Sequence, residues 1–427
     1  MSTLKAVRGT RDLLPPETEL WNFVEETARR VFARYNFGEI RTPIFEDTQL
    51  FARGVGEETD IVSKEMYTWE DRARAQSEKA QSLTLRPENT AGVVRAYIEN
   101  KLGETGLLQK LYYIGPQFRR ERPQKGRYRQ FYQIGAEVIG PPSAGSESPL
   151  RDAEVLEMLA TLLTELGIEG WKLELNSVGS MSDRPRYIAA LREALKEKAP
   201  LMCSDCQQRA NTNPLRVLDC KVPEDQPIIE TLPKIADFLD ESSKAHFAAV
   251  CAALDACGVA YSVNPRLVRG LDYYTRTTFE FTHGGLGAQN ALLGGGRYDG
   301  LSEVIGGPKA PGIGFAMGED RLILTLQAQA DQKLALADAY IAPLGEALNP
   351  AALELARDLR RAGLRIELGD GGFRLKKSFE MGNKLARKIV LLGENELQSG
   401  ILTVKDFASG EQVKVPRTEL AQSLKAE

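Results

Sequence analysis

Five arginines lie in segments whose neighbouring residues suit phosphate binding. They are Arg119, Arg127, Arg269, Arg297 and Arg321. Planar guanidinium groups bind phosphates through paired hydrogen bonds, and several of them on an antiparallel sheet can hold a nucleotide without a glycine-rich loop. Each arginine taken alone is typical of a solvated surface charge. The prediction of a phosphate site therefore depends on all five meeting at one place in the fold.

Residues 119–129 form a strongly basic loop. The segment carries six basic side chains and one acidic one, and Pro123 and Gly126 make it rich in turns. Such a loop suits a polyphosphate or a nucleic-acid backbone, because binding is then largely charge neutralisation. Residues 374–388 have the same balance of six to one, although a solvated helical face explains that second cluster equally well. The net charge of the chain is −4, so any nucleic-acid surface must be local.

Other common nucleotide and metal sites are excluded by what the chain lacks. It contains no GxxxxGK[ST] pattern and no GxGxxG pattern after a strand, which excludes a P-loop and argues against a dinucleotide-binding Rossmann site. Its two histidines, His246 and His283, leave a histidine-based zinc hydrolase or haem site almost without ligands. Chemistry by positioned charge is therefore favoured.

The cysteines are interpreted as reduced thiols. Five cysteines are an odd number for a disulfide framework, and Cys203 and Cys206 form a CxxC pair that Cys220 follows. A closed zinc site needs four ligands, and neither Cys251, Cys257 nor His246 stands at a familiar spacing. We therefore predict no metal site and keep a structural metal as the alternative.

The length of 427 residues predicts two or three domains. Apolar spacing predicts a helix over 18–35, a hairpin with a charged loop at 71–81, and a mainly helical insertion at about 180–260. From Ala337 the pattern alternates between strands and helices, which indicates a separate small α/β domain. The N-terminus lacks the apolar region of a signal peptide and no stretch is long enough for a membrane span, so we expect a cytoplasmic protein.

One predicted strand has two faces of different chemistry. Period-2 alternation places Tyr132, Ile134, Ala136 and Val138 on one face, and Phe131, Gln133 and Glu137 on the other. The first face is typical of a core. The second face either meets solvent, as in many antiparallel sheets, or lines a polar site.

Six segments resemble, in this order, the signature segments of histidyl-tRNA synthetases, a class II aminoacyl-tRNA synthetase family: TRDLLPPE, LRPENTAG, FRRERPQKGRYRQFYQIGAEVIG, LVRGLDYY, GGGRYDGL and GIGFAMGEDRL. The sequence marks of class I synthetases are absent. The resemblance implies an α+β fold. A catalytic domain over 1–330 would hold a six- or seven-stranded antiparallel sheet and the helical insertion, and an α/β anticodon-binding domain would follow at 337–427.

The resemblance also implies roles for individual residues. Arg269 and Arg119 would be catalytic, acting at the α-phosphate of ATP. ATP would contact Arg119, Glu121, Arg127, Phe131, Arg297 and Arg321. Histidine would contact Glu88, Thr90, Gln133, Glu137, Tyr273 and Tyr274, with Glu137 and Tyr274 on the two imidazole nitrogens. Arg122 and Gln124 would reach the tRNA.

The implied activity is ATP-dependent attachment of histidine to tRNA(His) through a histidyl-adenylate. ATP and Mg²⁺ would be required, and the enzyme would be a homodimer joined through the region around Pro43. The alternative is a non-catalytic protein, the regulatory subunit of ATP phosphoribosyltransferase. That protein resembles the same core but lacks the last domain, so the segment after Ala337 favours the synthetase.

Overall fold

The computed structural model describes residues 4–57, 59–71, 80–124, 126–286, 290–329 and 336–425. The chain forms two compact units, Met1–Asp331 and Gln332–Glu427. Both combine helices with sheets, and short 3₁₀ turns connect several of the elements. Each unit has its own apolar core.

The first unit contains eleven strands and ten α-helices in its described ranges. The strands are β1 (Gly38–Glu39), β2 (Phe45–Asp47), β3 (Tyr67–Asp71), β4 (Gln81–Leu85), β5 (Gln109–Phe118), β6 (Gln130–Ile139), β7 (Trp171–Ser177), β8 (Ser262–Val263), β9 (Thr275–His283), β10 (Ala291–Arg297) and β11 (Gly312–Gly318). The helices are α1 (Glu17–Arg34), α2 (Thr48–Val55), α3 (Thr90–Glu99), α4 (Pro149–Glu165), α5 (Arg184–Lys198), α6 (Ser204–Thr212), α7 (Gln226–Glu230), α8 (Glu241–Cys257), α9 (Leu301–Ile305) and α10 (Glu319–Gln329).

The large sheet has the strand order β1-β5-β6-β11-β10-β9-β7-β8. Its six central strands pair antiparallel, as the sequence led us to expect. The edge strands β1 and β8 pair in parallel with β5 and β7. They raise the number of strands to eight, one more than the predicted maximum, because two-residue strands have no period that a sequence pattern can reveal.

The main core lies against one face of this sheet. Ile134, Ala136 and Val138 of β6 are buried there, which confirms the predicted apolar face. Helix α1 contributes Val24, Ala28, Val31 and Phe32 at helical spacing, and α4 contributes Leu156 and Leu159. Burial of each large apolar side chain stabilises the fold by about 1.5–3 kcal/mol, so these helices hold the sheet in place and leave its other face open.

A smaller sheet has the order β2-β4-β3. Strands β3 and β4 form the predicted antiparallel hairpin, and residues 72–79 of its predicted loop lie outside the described part of the chain. Helix α3 begins at Thr90, directly after Asn89. The side chain that accepts hydrogen bonds from its first amides is Glu88, which contacts Thr90 N at 2.7 Å and Ala91 N at 2.9 Å.

The insertion is helical, as predicted, and comprises α5 to α8. It has a small core of its own, which includes Tyr187, Leu191, Cys206 and Cys220. The same cluster contains Tyr274 from the segment that leads into β9. The insertion is therefore packed against the chain that enters the large sheet.

The second unit has a five-stranded sheet in the order β13-β12-β14-β15-β16. Its strands are β12 (Ala337–Pro343), β13 (Ile366–Leu368), β14 (Ala386–Leu392), β15 (Ile401–Asp406) and β16 (Gln412–Pro416), and its helices are α11 (Asn349–Arg361), α12 (Leu375–Leu385), α13 (Glu394–Ser399) and α14 (Leu420–Lys425). The basic cluster 374–388 falls mainly on α12. Across the described residues, every helix is too short or too polar to span a bilayer.

Candidate active site

A cavity of about 310 Å³ opens on the face of the large sheet away from the main core. Residues Phe131, Gln133 and Glu137 of β6 line it, so the polar face of β6 points into a site rather than into open solvent. The other walls come from β9, β10 and β11, from the start of α3 and from the segment Arg269–Tyr274. Every side of the cavity is thus built on rigid sheet or on chain that is packed against it.

Two arginines enter the cavity from the basic loop. The Arg119 guanidinium lies 5.2 Å from the centre of the Phe131 ring, and its Nε donates to Pro87 O at 2.9 Å. Arg127 Nη1 donates to Glu121 Oε2 at 2.9 Å, and Glu121 Oε1 lies 3.9 Å from Arg119 Nη1. One carboxylate thus holds both cations on the same wall, next to the Phe131 ring.

Arg269 lies across the bare backbone of β10. Its Nη1 forms an ion pair with Glu280 Oε1 at 2.5 Å, and its buried Nε has no hydrogen-bond partner among the described residues. Burial by itself would lower the pKa of Arg269, but Glu280, Tyr274 and Asp219 together raise the pKa above its ordinary value, so the charge is retained. A β-carbon at Gly294 would collide with the guanidinium, so glycine at this point of the strand lets Arg269 keep its position.

Arg321 reaches the cavity from the first turn of α10. Its Nη1 donates to Ala291 O at 2.7 Å. Burial lowers the pKa of Arg321, and the positive charge of Arg127 lowers it further. The preceding residue, Asp320, is held by Arg11 Nη2 at 3.0 Å, so a residue of the TRDLLPPE segment fixes the start of this helix.

The other end of the cavity is acidic and deeply buried. Glu137 has no exposed surface, and its Oε1 accepts a hydrogen bond from Thr90 Oγ1 at 2.8 Å. Its Oε2 has no partner among the described residues, and neither does Gln133 Oε1. Burial raises the pKa of Glu137 to about 8 and also raises the pKa of Glu88. Such buried polar atoms without partners are costly in the absence of a ligand.

Tyrosines close this acidic end. The rings of Tyr273 and Tyr274 are 4.7 Å apart, and the hydroxyl of Tyr298 is buried without a partner in the described residues. Burial raises the pKa of Tyr274, which keeps its hydroxyl protonated at neutral pH. On β11, a β-carbon at Gly314 would occupy the space of the Glu137 carboxylate.

Comparisons with family models and with individual proteins place the chain in the same family. A family model described as histidyl-tRNA synthetase matches residues 9–322, and a model described as anticodon binding domain matches residues 338–427. The chain belongs to the histidyl-tRNA synthetase family. It is 72% identical to the histidine–tRNA ligase of Koribacter versatilis, with 98% of this chain and 95% of the relative covered.

Two further comparisons extend over nearly the whole chain. The histidine–tRNA ligase of Solibacter usitatus is 58% identical, with 99% of each chain covered. The crystal structure of apo histidyl-tRNA synthetase from Staphylococcus aureus is 37% identical, with a TM-score of 0.79, and covers 99% of this chain and 100% of that one. The α+β fold with a separate C-terminal domain is therefore the fold of this synthetase family.

The cavity brings together most of the residues that the sequence singled out. These are Glu88, Thr90, Arg119, Glu121, Arg127, Phe131, Gln133, Glu137, Arg269, Tyr273, Tyr274 and Arg321. Arg122 and Gln124, which we predicted to contact tRNA, are exposed in the basic loop and do not line the cavity.

Arg297 is a correction to the predicted set. Its side chain has no exposed surface and does not line the cavity. Its donors bind Asp152 Oδ1 at 2.8 Å, Asp299 Oδ1 at 2.7 Å and Ser146 O at 2.6 Å. Arg297 is an odd number of residues from Gly294, so strand alternation directs its side chain away from the cavity and toward α4. Arg297 thus holds β10 to α4 and lies outside the lining of the cavity.

Two site residues were missed in the sequence. Glu280 pairs with Arg269 in the cavity, and Tyr298 lines the buried end. Alternation along β9 carries a signal for the first, because Phe279 and Phe281 belong to the core and Glu280 between them must face the other way. The signal for Tyr298 is only its position after three consecutive glycines.

Proposed function

We propose that this protein is a histidine–tRNA ligase that activates L-histidine with ATP and transfers the histidyl group to tRNA(His). The observation that carries the proposal is the set of side chains that lines the active-site cavity. Four arginines lie along its walls, and unpartnered carboxylate and amide oxygens lie at its buried end. A triphosphate fits the first environment, and an amino acid with a polar ring fits the second.

The nucleotide would lie between the basic loop and α10. Phe131 offers an aromatic face for the adenine, while Arg119 and Arg127 approach the phosphates from one side and Arg321 from the other. Arg269 would bind the α-phosphate. Because these cations are already held by Glu121, Glu280 and backbone carbonyls, little reorganisation is needed at the moment of reaction.

The amino acid would occupy the acidic end. Glu137 Oε2 would accept a hydrogen bond from one imidazole nitrogen, and the Tyr274 hydroxyl would pair with the other. Glu88, Thr90 and Gln133 would hold the ammonium group. An analogue that lacks a ring nitrogen would leave one of these buried groups unpaired, which supports strong selectivity for histidine.

The reaction needs no protein nucleophile. The histidine carboxylate attacks the α-phosphorus, the bond to pyrophosphate breaks, and the negative charge that accumulates on the α-phosphoryl oxygens is stabilised by Arg119 and Arg269. In the second step a hydroxyl of the terminal tRNA adenosine attacks the activated carbonyl and AMP departs. Positioning and charge stabilisation supply the rate enhancement.

Mg²⁺ would accompany ATP. The carboxylates of Glu121 and Glu280 line the same cavity and are oxygen donors of the kind that Mg²⁺ prefers. Bound Mg²⁺ supplies neutralisation of phosphate charge, and the two glutamates would contact it directly or through its water ligands.

The tRNA would be bound at two places. Arg122 and Gln124 would contact its acceptor end, close to the cavity, and the second unit would bind the anticodon. Helix α12 offers basic side chains there, including Lys376, Lys377 and Lys384. We expect charging to take place in the cytoplasm, where tRNA is used.

A homodimer would form through the β2-β4-β3 sheet and the adjacent Pro43. Ile44, Phe45 and Trp69 expose 44%, 54% and 40% of their surfaces there, and the Phe45 and Trp69 rings pack 6.2 Å apart. Exposed apolar groups of this kind are typical of a contact with another chain. Sedimentation measurements on the wild type and on Phe45→Ser test whether this dimer forms. A monomeric mass for both proteins would exclude the dimer.

The function is tested by histidine-dependent exchange of pyrophosphate into ATP, followed by charging of a tRNA(His) transcript. We expect exchange that requires histidine, and charging that requires both units. Exchange that survives deletion of residues 337–427 while charging is lost would support anticodon binding by the second unit. No exchange, together with tight binding to an ATP phosphoribosyltransferase, would favour the regulatory alternative.

A further inference from the structure

Three thiols and one carboxylate meet inside the insertion, away from the active-site cavity. Cys203, Cys206, Cys220 and Asp225 each offer one ligand atom, and these atoms all lie within 4.8 Å of one another. Cys206, Cys220 and Asp225 are almost fully buried, at 0%, 4% and 2% exposed. The sequence analysis recognised the three cysteines but missed the fourth group.

Local structure fixes these four side chains. Cys203 directly precedes α6 and Cys206 lies in its first turn. Cys220 follows the 3₁₀ turn Pro214–Asp219, and Asp225 ends the next turn, Pro223–Asp225. The amide of Cys203 donates to Asp225 Oδ1 at 3.0 Å, so the two ends of the motif are joined before any ligand binds.

Two distances within the cluster are close to those of tetrahedral coordination. A metal–sulfur bond of about 2.3 Å places two sulfur ligands about 3.8 Å apart in a tetrahedron, and the Cys203 and Cys220 sulfurs are 3.9 Å apart. Cys220 Sγ lies 3.2 Å from Asp225 Oδ2, close to the shorter sulfur–oxygen edge that such a site requires.

The buried carboxylate lacks a cationic side chain. No lysine or arginine within the described ranges forms an ion pair with Asp225, and its neighbours are the Cys203 amide and the Cys220 thiol. A buried carboxylate normally pairs with a cation or binds a metal. The surrounding residues are mostly apolar, with Val217, Leu218 and Ile229 in the same cluster.

We propose that Cys203, Cys206, Cys220 and Asp225 bind one zinc ion in a closed, structural site. Sulfur and carboxylate ligands in a tetrahedral arrangement are typical of Zn²⁺. Four protein ligands leave no position for a reactant, so the ion stabilises the insertion rather than taking part in the reaction.

The site also bears on the active site through the segment between its second and third ligands. Asn213 Nδ2 donates to Asp272 Oδ1 at 3.0 Å, and Arg216 Nη1 donates to Gly270 O at 3.1 Å. These contacts hold the Arg269–Tyr274 segment that lines the cavity. Zinc would therefore keep in place the chain that positions Arg269.

Metal content of the purified full-length protein is the direct test, and it does not depend on the proposed reaction. Expressed in zinc-supplemented medium and purified under reducing conditions, the wild type should contain about one zinc per chain. Replacement by Co²⁺ should produce the thiolate-to-cobalt absorption and the intense visible bands of a tetrahedral sulfur-rich site. Absence of zinc together with absence of these bands would overturn the proposal.

Variants identify the ligands. Cys220→Ser and Asp225→Asn should each lose zinc or weaken its retention during dialysis, whereas the control Cys257→Ser, an exposed cysteine outside the cluster, should retain about one equivalent. Because a variant can fail to fold, the cobalt spectrum of the wild type stands as an independent readout. The site would be excluded if both ligand variants retained zinc fully. It would also be excluded if the wild type, purified under reducing conditions, contained a Cys203–Cys220 disulfide.

Discussion

Arg269 and Arg297 are the same kind of side chain placed in opposite environments. Arg297 is sealed between β10 and α4, and its guanidinium donates to two carboxylates and a backbone carbonyl. Arg269 lies on the cavity side with one carboxylate and a buried Nε that has no partner in the described part of the chain. For these two arginines, the one that lines the cavity is the one whose hydrogen bonding is left incomplete.

The Arg297 network also extends further than one ion pair. Asp152 Oδ2 lies 2.8 Å from His246 Nε2, and His246 Nδ1 lies 3.3 Å from Arg276 Nη1. The network thereby connects β10, α4, the insertion helix α8 and β9. In the cavity, by contrast, Arg269 pairs with Glu280 and its Nε has no partner among the described residues.

The largest effect that the comparison predicts is on stability. Arg297→Met leaves the Asp152 carboxylate buried without its main cation, and removal of one partner from a buried pair costs about 3–5 kcal/mol. Urea unfolding of the full-length variant should show this loss of stability in the transition of the first unit. Adding Asp152→Leu should recover part of it, since the unpaired charge is then gone, and a double variant less stable than the single one would contradict this account.

Arg269→His should have the opposite signature. We expect histidine-dependent pyrophosphate exchange to fall by roughly 10²–10³-fold, as for loss of a group that stabilises charge in the transition state. The unfolding midpoint should change little. Arg266→His is the matched control, because Arg266 pairs with Glu230 in the insertion and does not line the cavity. Near-normal exchange by Arg269→His would remove its catalytic role.

Glu137→Gln sharpens the comparison at the other end of the cavity. The amide keeps the shape of the carboxyl group but cannot ionise. Above about pH 8, where Glu137 is ionised, KM for histidine should therefore be roughly 10- to 100-fold higher in the variant, in line with about 1.5–3 kcal/mol for a hydrogen bond to a charged group. KM for ATP should stay near the wild-type value. An equal rise in both constants would indicate a general disturbance of the cavity.

The smallest effect is a pH dependence in the absence of ligand. The pKa of Glu137 is about 8 in the folded chain and near 4.3 in an unfolded one, so the folded state holds an extra proton between these values. The stability contribution of Glu137 is present below about pH 4 and is lost as pH rises toward 8.

Unfolding free energies of the wild type and of Glu137→Gln, measured from pH 5 to 8, should therefore converge or cross with a relative slope of at most about 1.4 kcal/mol per pH unit. The variant loses less stability than the wild type over this range, because its amide does not titrate. Parallel curves would show that Glu137 is already ionised in the empty cavity.

Much of this site follows from local patterns in the sequence. Alternation along β6 separated Phe131, Gln133 and Glu137 from the core residues, and the structure confirms that separation. The basic loop and the helical insertion could be identified from the sequence in the same way. Their signals are local, since charge density and periodicity lie within a few consecutive residues.

What the sequence did not reveal depends on distant contacts. Arg297 was assigned to ATP as one of the candidate phosphate-binding arginines, through the resemblance of its segment to the family, but its partner Asp152 lies 145 residues away in the chain. Asp225 was missed because an aspartate five residues after Cys220 has no pattern that distinguishes it from a surface carboxylate. The edge strands β1 and β8 were missed because two residues are too few to show a periodic pattern.

The glycines of β10 and β11 set a limit on how this enzyme can change. At Gly294 and Gly314 even one methyl group would occupy the space of Arg269 or of the Glu137 carboxylate. Alanine at either position would force aside a side chain that the proposed reaction needs, Arg269 in one case and Glu137 in the other. The placement of both groups thus depends on missing side chains, and the constraint is stricter at Gly314, where the β-carbon would also meet the backbone carbonyl oxygen of Ala136.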